Sequence, residues 1–141
     1  MHHLTLDQAQ AILAGALACS KEAGYKPMGI AVLDEAGHLK AFAREDGASM
    51  LRFEIAQAKA WGAVGMGVSS RTLALRAKEN PNFFIPLATT AGGKLLPQPG
   101  AVLIKNSDGQ VLGAVGASGG TGDEDEAICM AGINAAGLVV G

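Results

Sequence analysis

Two hairpin signals constrain the fold of this chain most. Residues 28–33 form a short apolar run, and residues 38–44 alternate polar and apolar side chains. The pattern returns at residues 101–105 and 110–117. A turn sequence that contains Asp and Gly separates each pair of runs, and such turns join neighbouring antiparallel strands. The sequence therefore predicts two β-hairpins.

Helical signals stand before, between and after the hairpins. Thr5 and Gln8 match a capping box, and apolar or small side chains recur after them at helical spacing. Ser49 and Ser70 are predicted helix N-caps, and the Pro- and Gly-rich residues 82–99 are predicted to be mostly non-helical. The predicted helices cover residues 6–23, 50–65, 71–78 and 123–135.

The resulting order of elements is α-β-β-α-α-β-β-α. Hairpins with helices grouped beside them are typical of an α+β fold with an antiparallel sheet. With 141 residues the chain fits one domain, residues 1–141. Glycine occurs 20 times and alanine 26 times, together about a third of the chain. We therefore expect backbones to pack closely, or copies of the chain to pack against one another.

Composition and charge disfavour several classes of function. The formal net charge of −2 gives no electrostatic basis for nucleic-acid binding, and no apolar run reaches the roughly 18 residues of a membrane span. Cys19 and Cys129 are too few for a disulfide framework, and no signal peptide is visible. The sequence predicts a cytoplasmic protein with reduced thiols. His2 and His3 stand at the N-terminal end, where we expect fraying.

A glycine cluster covers residues 113–122, between a predicted strand and a predicted helix. It lacks the spacing of a dinucleotide-binding fingerprint, and no Gly-Lys-Ser/Thr sequence follows it. The carboxylates from Asp123 to Glu126 would repel a phosphate there, so a nucleotide site is disfavoured. The alternative is a loop whose small residues allow a neighbour or a ligand to approach closely.

The acidic run from Asp123 to Glu126 complements the N-terminal dipole of the last predicted helix. This effect accounts for one or two carboxylates, and the others are predicted to pair with Arg44, Lys59 or a partner subunit. A divalent metal site is a weaker alternative, because four adjacent helical residues cannot all face one ion. The sequence therefore assigns no metal ligands.

A second charged group consists of Arg44, Asp46, Glu54 and Lys59. Lys59 follows Ile55 by about one helical turn, so its side chain is predicted to lie partly inside an apolar stripe. A buried lysine needs a carboxylate partner or its pKa falls, and Asp46 and Glu126 are the candidate partners. The group is interpreted either as an acid/base or anion-binding site or as a structural ion pair.

Nucleophilic catalysis has little support in the sequence. No Ser-His-Asp set is visible, and the internal His38 follows a turn, where it is predicted to be solvated. Cys129 has no histidine near it in the sequence. We therefore expect neither a catalytic triad nor a cysteine nucleophile.

An ordered set of short motifs resembles the GlcG/HbpS family. Each motif is weak alone, but together they follow in order along nearly the whole chain, from residue 4 to residue 137. The motifs are residues 32–39 (VLDEAGHL), 44–48 (REDGA), 56–60 (AQAKA), Gly92-Gly93 with Leu96-Pro97, residues 109–120, and Asp125-Glu126.

The resemblance implies a central antiparallel sheet of about five strands flanked by helices, in a layout similar to profilin and PAS domains. It also implies a homo-oligomer, often an octamer, and a small-molecule ligand, with heme or a corrinoid as candidates. Relatives include a heme-binding extracellular sensor and the C-terminal domain of PduO-type corrinoid adenosyltransferases, and others are encoded in catabolic operons. The residues that the resemblance places around a ligand pocket are Arg44, Asp46, Gly47, Ala48, Lys59, Gly92, Gly93, Gly116, Ser118, Gly119, Gly120, Asp125 and Glu126.

One departure from the family pattern concerns heme. Some relatives are expected to bind the iron through a histidine of the first helix, and residues 6–23 contain none. Met50, Met66, Cys129 or Thr121 would have to replace it, or heme would have no protein ligand. Aromatic side chains, which pack well on a porphyrin, make up only 4% of the chain.

Three functions remain open at this point. The first is an oligomeric small-ligand-binding protein of a catabolic pathway, which holds heme, a corrinoid or a metabolite at its subunit contacts. The second is an enzyme acting on a small carboxylate or aldehyde, in which Lys59 or Arg44 holds the anion and Asp46 or Glu126 moves a proton. The third is a structural or regulatory oligomer without a ligand.

Overall fold

A computed structural model describes residues 3–141 of the chain. His2 lies outside the described residues, and the imidazole of His3 lies 2.8 Å from a carboxylate oxygen of Glu35. Among the described residues, the predicted α+β class is confirmed. The elements are α1 (Leu6–Ala23), β1 (Gly29–Asp34), β2 (Leu39–Arg44), α2 (Arg52–Met66), α3 (Ser70–Glu79), α4 (Pro81–Thr90), β3 (Ala101–Lys105), β4 (Val111–Ser118), α5 (Gly122–Ala135) and β5 (Val139–Val140).

The five described strands form one antiparallel sheet in the order β2-β1-β4-β3-β5. Both predicted hairpins are present, and their turns hold Gly37 at φ 82° and Gly109 at φ 80°, where residues with a Cβ are disfavoured. The hairpins join through β1 and β4, which places Gly29 opposite Ser118 and Arg44. The ends of β2 and β4, which carry the predicted site residues Arg44 and Ser118, therefore flank the start of β1 at one end of the sheet.

Helix α1 matches its prediction at both ends. The hydroxyl of Thr5 accepts the backbone N–H of Gln8 at 3.1 Å, and the side chain of Gln8 accepts the backbone N–H of Thr5 at 3.0 Å. Gly24 ends the helix with φ 70°, a left-handed conformation that glycine adopts without steric cost. Both ends are thus set by short-range sequence chemistry.

The predicted N-caps of α2 and α3 are wrong by two residues and one residue. Helix α2 begins at Arg52 without a side-chain cap, so Ser49 does not cap it. Ser69 caps α3, and Ser70 is the first helical residue. The hydroxyl of Ser70 has a tertiary partner instead, because it accepts the backbone N–H of Ala101 at 2.8 Å. That contact links the start of α3 to β3.

Helix α4 overturns the non-helical prediction for residues 82–90, whereas residues 91–99 are non-helical as predicted. It begins at Pro81, whose fixed φ suits the first helical position. Phe84 is buried in a small apolar cluster with Leu73 and Leu95. The prolines and glycines of this segment disfavour a helix locally, but the tertiary burial of Phe84 stabilises one.

The two faces of the sheet are covered by different helices. Helices α1 and α5 cover one face, which we call the aliphatic face. Its buried side chains include Ile12, Ile30, Val32, Ile104, Val115, Ile128 and Ile133. Helix α2 covers the other face, which we call the small-residue face. Most of its buried residues, with Leu33 and Leu103 as exceptions, are small: Ala56, Ala60, Ala63, Ala101, Ala114 and Gly116.

The structure also describes the two cysteines and the apolar character of the helices. Cys19 and Cys129 are both free thiols, and Cys129 is fully buried. Within residues 3–141, none of the helices combines the length and the apolar character needed to cross a membrane.

Candidate functional site

A buried ion pair lies beneath the end of β4. The ammonium of Lys59, on α2, donates to the carboxylate of Asp125, on α5, at 3.1 Å and to the backbone carbonyl of Ala117 at 3.1 Å. The two charged side chains are only 7% and 3% exposed. The other carboxylate oxygen of Asp125 accepts the backbone N–H of Gly120 at 2.9 Å. Because both charges are partnered, the pair can persist away from water.

Glycine at position 100 makes room for this pair. A Cβ on Gly100 would lie 2.7 Å from the ammonium nitrogen of Lys59 and 3.1 Å from the Cβ of Asp125. Gly100 also has φ 131°, which favours glycine. Its carbonyl accepts the thiol of Cys129 at 3.5 Å. The segment between α4 and β3 therefore closes over the pair without a side chain of its own.

The Cys129 thiol is held in its neutral form. Burial raises its pKa well above the ordinary range, and the negative charge of Asp125 raises it further. A protonated, fully buried thiol is neither a good nucleophile nor a metal ligand. This agrees with the prediction that Cys129 is not a nucleophile, and it argues against Cys129 as an iron ligand.

The structure corrects the predicted partners of Lys59. Asp46 is exposed at the end of β2, and Glu126 accepts the guanidinium of Arg71 at 3.0 Å. Only Asp125 in the acidic run points back toward the sheet, where α2 presents Lys59. Successive residues of a helix point about 100° apart, so adjacent carboxylates of the run have different partners.

The other carboxylates of the run are tied to their surroundings. The hydroxyl of Thr121 accepts the backbone N–H of Glu124, and the carboxylate of Glu124 accepts the backbone N–H of Thr121, which forms a second capping box. Asp123 pairs with Arg71, which also holds Glu126. Both carboxylates raise the pKa of the Arg71 guanidinium, with Glu126 the stronger cause. Among residues 3–141, no group of three or more His, Cys, Asp or Glu side chains could hold a metal ion.

A cleft of about 430 Å³ opens beside the ion pair, and we call it the Lys59 cleft. Arg52 lines it and donates to the hydroxyl of Ser118 at 2.8 Å. The lining residues come from α2, from the segment before β3 and from the loop between β4 and α5. They are Arg52, Ile55, Lys59, Leu96, Gln98, Pro99, Ser118, Thr121, Gly122 and Asp123.

A second cavity, of about 480 Å³, lies between the end of α1 and the end of β2, and we call it the Tyr25 cavity. The guanidinium of Arg44 donates to the carbonyl of Ala48 at 2.6 Å, and Glu45 accepts the backbone N–H of Met28 at 2.9 Å. These contacts anchor the loop after β2. The lining residues are Leu17, Lys21, Tyr25, Pro27, Ala43, Arg44, Glu45 and Asp46.

The predicted site residues divide among different parts of the chain. Arg44 and Asp46 line the Tyr25 cavity, and Lys59 and Ser118 line the Lys59 cleft. Gly93 lines a third cavity, of about 170 Å³, together with Trp61 and Lys94. Gly47 and Ala48 lie in the loop after β2, and Gly92 is exposed beside Gly93. Lys59 and Arg44, the two cations of the predicted acid/base site, thus lie in separate cavities.

Several predicted glycines have structural contacts. A Cβ on Gly116 would lie 2.3 Å from the carbonyl oxygen of Ala56, so this glycine lets α2 approach β4. A Cβ on Gly119 would lie 2.3 Å from the carbonyl oxygen of Pro27. Gly120 acts through its backbone N–H, which binds Asp125.

Sequence reasoning missed Arg52 and Tyr25. Arg52 stands seven residues before Lys59, and this spacing puts the two side chains on one face of a helix. That signal was present in the sequence. Tyr25 directly follows the helix-ending Gly24, and nothing in its local sequence indicates a cavity. Its position depends on how α1 packs beside β2.

The Lys59 cleft does not fit a ligated heme. Heme iron is held by His, Cys, Met or Tyr side chains, and none of these is among the described residues that line the cleft. Thr121, a predicted ligand, uses its hydroxyl to cap α5. Met50 is 77% exposed, and Met66 lines a separate apolar cavity with Leu87.

The Tyr25 cavity fits heme better. It contains a phenol, which is a known type of axial ligand. Lys21 and Arg44 supply two positive charges at its edge, and Leu17 and Pro27 supply apolar surface. A volume of about 480 Å³ lies within the range of small-molecule sites.

Comparisons with known proteins agree with this architecture. The family model described as "Haem degrading protein HbpS-like" matches residues 4–134. A double mutant of HbpS from Streptomyces reticuli is similar with a TM-score of 0.82 at 26% identity, over 95% of this chain and 87% of that one. No curated protein matches the chain.

Two further crystal structures share the fold at lower identity. The PduOC complex with heme has a TM-score of 0.85 at 24% identity, and the comparison covers 99% of this chain and 97% of that one. Protein ORFY from Klebsiella pneumoniae has a TM-score of 0.87 at 23% identity, over 97% of this chain and 92% of that one.

Proposed function

Since this chain belongs to the HbpS-like family, we propose that it is a ligand-binding protein that holds heme in the Tyr25 cavity. The family membership agrees with the resemblance of its sequence motifs. A neighbour of the same fold is described as a heme complex. The single observation that carries the proposal is that one cavity of this chain combines Tyr25, Lys21 and Arg44.

Tyr25 is the axial ligand in this proposal. It is the sole tyrosine of the chain, and it lies half-buried beside Leu17 at the end of α1. The resemblance implies that some relatives bind the iron through a histidine of the first helix. Helix α1 has no histidine, and Tyr25 follows it by two residues. Bound heme would supply iron redox chemistry, which the groups around the iron would tune.

The charges at the cavity edge suit the propionate groups of heme. Lys21 and Arg44 are exposed and line the cavity from two different elements, α1 and β2. Glu45 is already occupied by the backbone N–H of Met28. Asp46 is exposed at the edge and would face solvent, where its repulsion of a propionate is screened.

We also propose that the chain forms a homo-oligomer, with an octamer as the state that the resemblance implies. Six large apolar side chains are about half exposed or more: Leu6, Met50, Leu51, Leu75, Phe83 and Ile85. Multi-angle light scattering would measure the mass, and a monomer at micromolar concentration would contradict the proposal. The catabolic role and the cytoplasmic location remain predictions.

A hemin titration followed in the Soret region tests the heme proposal. The parent chain should give a Soret band that saturates, and Tyr25→Phe should weaken the hemin affinity by about tenfold or more and change the band position. Met50→Leu is the matched control, because Met50 is an alternative ligand from the sequence, and it should leave both unchanged. Equal spectra for the parent and Tyr25→Phe would rule out Tyr25 as the ligand.

A second pair of variants tests the propionate contacts. Lys21→Ala should weaken hemin binding several-fold. Lys78→Ala is the matched control, because Lys78 is also an exposed lysine in the last turn of a helix, and it should leave hemin binding unchanged. The same titration with aquocobalamin distinguishes the two tetrapyrrole classes. Saturable cobalamin binding without hemin binding would replace heme by a corrinoid as the ligand.

A further inference from the structure

We propose that the Lys59 cleft is a second ligand site, which takes a small monocarboxylate carrying a hydroxyl or carbonyl oxygen. The site is separate from the Tyr25 cavity, so it does not depend on heme binding. Three side chains carry the inference, because each lines the same cleft and has a hydrogen-bond donor without a partner among the described residues. They are Arg52, Lys59 and Ser118.

Lys59 presents an unused donor. An ammonium group has three N–H bonds, and the carbonyl of Ala117 and the carboxylate of Asp125 accept two of them. No acceptor for the third lies among the described residues, and Lys59 lines the cleft. A buried donor without a partner costs free energy, which an oxygen atom of a ligand would recover.

Two cations line the cleft, and Lys59 is paired with Asp125. Arg52 has no carboxylate partner within 4.0 Å among residues 3–141. It gives one N–H to the hydroxyl of Ser118, and this contact fixes the direction of the guanidinium. A guanidinium carries five N–H donors in a planar fork, so the remaining donors can bind a carboxylate with two parallel hydrogen bonds.

The spacing of the two cations limits the length of the ligand. Arg52 and Lys59 lie two turns apart on one face of α2, but their side chains converge, because the guanidinium donates to the hydroxyl of Ser118 and the ammonium donates to the carbonyl of the adjacent Ala117. Ile55 lies between them on that face, and Leu96 and Pro99 line the same cleft. The ligand therefore has a carboxylate at one end, a short apolar carbon segment, and an oxygen at the other end.

Charge balance decides which oxygen suits the Lys59 end. The charge of Lys59 is already matched by Asp125, so a second carboxylate there would be a buried charge without a counterion. A neutral hydroxyl or carbonyl oxygen accepts a hydrogen bond without adding charge. Asp123, on the cleft rim, is 84% exposed and paired with Arg71, and it further disfavours a doubly charged ligand.

Isothermal titration calorimetry with ω-hydroxy acids of three to six carbons tests the site directly. At least one hydroxy acid should bind, the matching unsubstituted acid should bind about three- to tenfold more weakly, and the matching diol should not bind. The matching dicarboxylate should bind more weakly than the hydroxy acid. Absence of binding by every acid at millimolar concentration, or tighter binding of the dicarboxylate, would overturn the proposal.

Variants assign the two ends of the ligand. Arg52→Gln keeps a hydrogen-bond donor but removes the charge, and it should weaken binding of both acids by about tenfold or more. Arg76→Gln, an exposed arginine of α3, is the matched control and should leave the Kd unchanged. Equal affinity in the parent and Arg52→Gln would refute the carboxylate contact.

The double variant Lys59→Met with Asp125→Leu isolates the hydroxyl contact. It replaces both charges by apolar groups of similar size, so it should fold even if Lys59→Met alone does not. In it the hydroxy acid and the unsubstituted acid should bind equally, and a retained difference would refute the Lys59 contact. Tyr25→Phe should leave the binding of both acids unchanged. The hemin titration and the acid titration can therefore contradict the heme proposal and this proposal independently.

Discussion

The aliphatic face and the small-residue face of the sheet achieve burial in different ways. On the aliphatic face, isoleucine and valine side chains fill the space between the sheet and the helices α1 and α5. On the small-residue face, alanines and Gly116 let α2 approach until a Cβ at position 116 would lie 2.3 Å from a helix carbonyl. That close approach places Lys59 beneath β4, so small side chains create the setting for the polar site.

The small residues that allow close packing are therefore concentrated on one face of the sheet. An aliphatic core tolerates the loss of a methyl group better than a backbone contact tolerates the gain of one. Four substitutions test this contrast, and they follow in order of decreasing effect.

Lys59→Met should have the largest effect on stability. It leaves the Asp125 carboxylate buried without its cation, and breaking such a pair lowers the free energy of unfolding by about 3–5 kcal/mol. Urea denaturation measures the change, and adding Asp125→Leu should restore most of the stability. Lys78→Met, at an exposed position, should change it by less than about 0.5 kcal/mol. A loss below about 1 kcal/mol for Lys59→Met would show that the ion pair is not buried in solution.

Gly116→Ala should lower the free energy of unfolding by about 1–3 kcal/mol, because the added methyl group overlaps the carbonyl oxygen of Ala56. Gly65→Ala, at an exposed position of α2, is the control for adding a methyl group where nothing is in contact. Its Cβ meets nothing within 4 Å, and alanine favours a helix interior, so the variant should gain about 0.5–1 kcal/mol. Equal effects of the two substitutions would show that α2 does not lie against β4 as closely as described.

The buried thiol of Cys129 should make the free energy of unfolding fall at alkaline pH. Burial and the charge of Asp125 raise the pKa of its thiol in the folded state, whereas the unfolded thiol ionises near pH ~8.5. The neutral buried thiol contributes fully to the free energy of unfolding below that pH. This contribution is lost as the pH rises, by about 1.4 kcal/mol per pH unit. Urea midpoints measured from about pH 8 to about pH 10 should show a smaller slope in Cys129→Val than in the parent. Parallel slopes would mean that the thiol ionises equally in both states.

Ile133→Val should have the smallest effect, a loss of about 0.5–1.5 kcal/mol, because it removes one methyl group from the aliphatic face. It should leave the binding of hemin and of hydroxy acids unchanged, since Ile133 lines neither cavity. A greater loss than that of Gly116→Ala would reverse the proposed contrast between the faces.

Short-range features of the fold were predicted well from the sequence. The α1 bounds follow from the capping box at Thr5 and from Gly24, and the hairpins follow from turns that hold Gly37 and Gly109. Helix α4 was missed, because the burial of Phe84 against distant side chains outweighs the local propensity of a Pro-rich segment. Strand β5, two residues long, was also not assigned to the end of the chain.

The candidate sites were predicted less completely. The sequence correctly indicated that Lys59 is buried and needs a carboxylate, because its position in the apolar stripe of α2 is a local property. It did not identify Asp125 as the partner, which lies 66 residues away along the chain. The sequence also did not show that Arg44 lines the Tyr25 cavity whereas Lys59 lines the Lys59 cleft, because that depends on how the ends of β2 and β4 are arranged.

By itself, the sequence determined the two hairpins, the helices α1, α2, α3 and α5, and the demand of Lys59 for a counterion. These depend on turn chemistry, capping and periodicity, which act within a few residues. Only the tertiary structure decided that Asp125 meets that demand and that Arg52 and Ser118 share its cleft. Those contacts exist because α2, β4 and α5 converge, and Gly100 and Gly116 leave the space for them to do so.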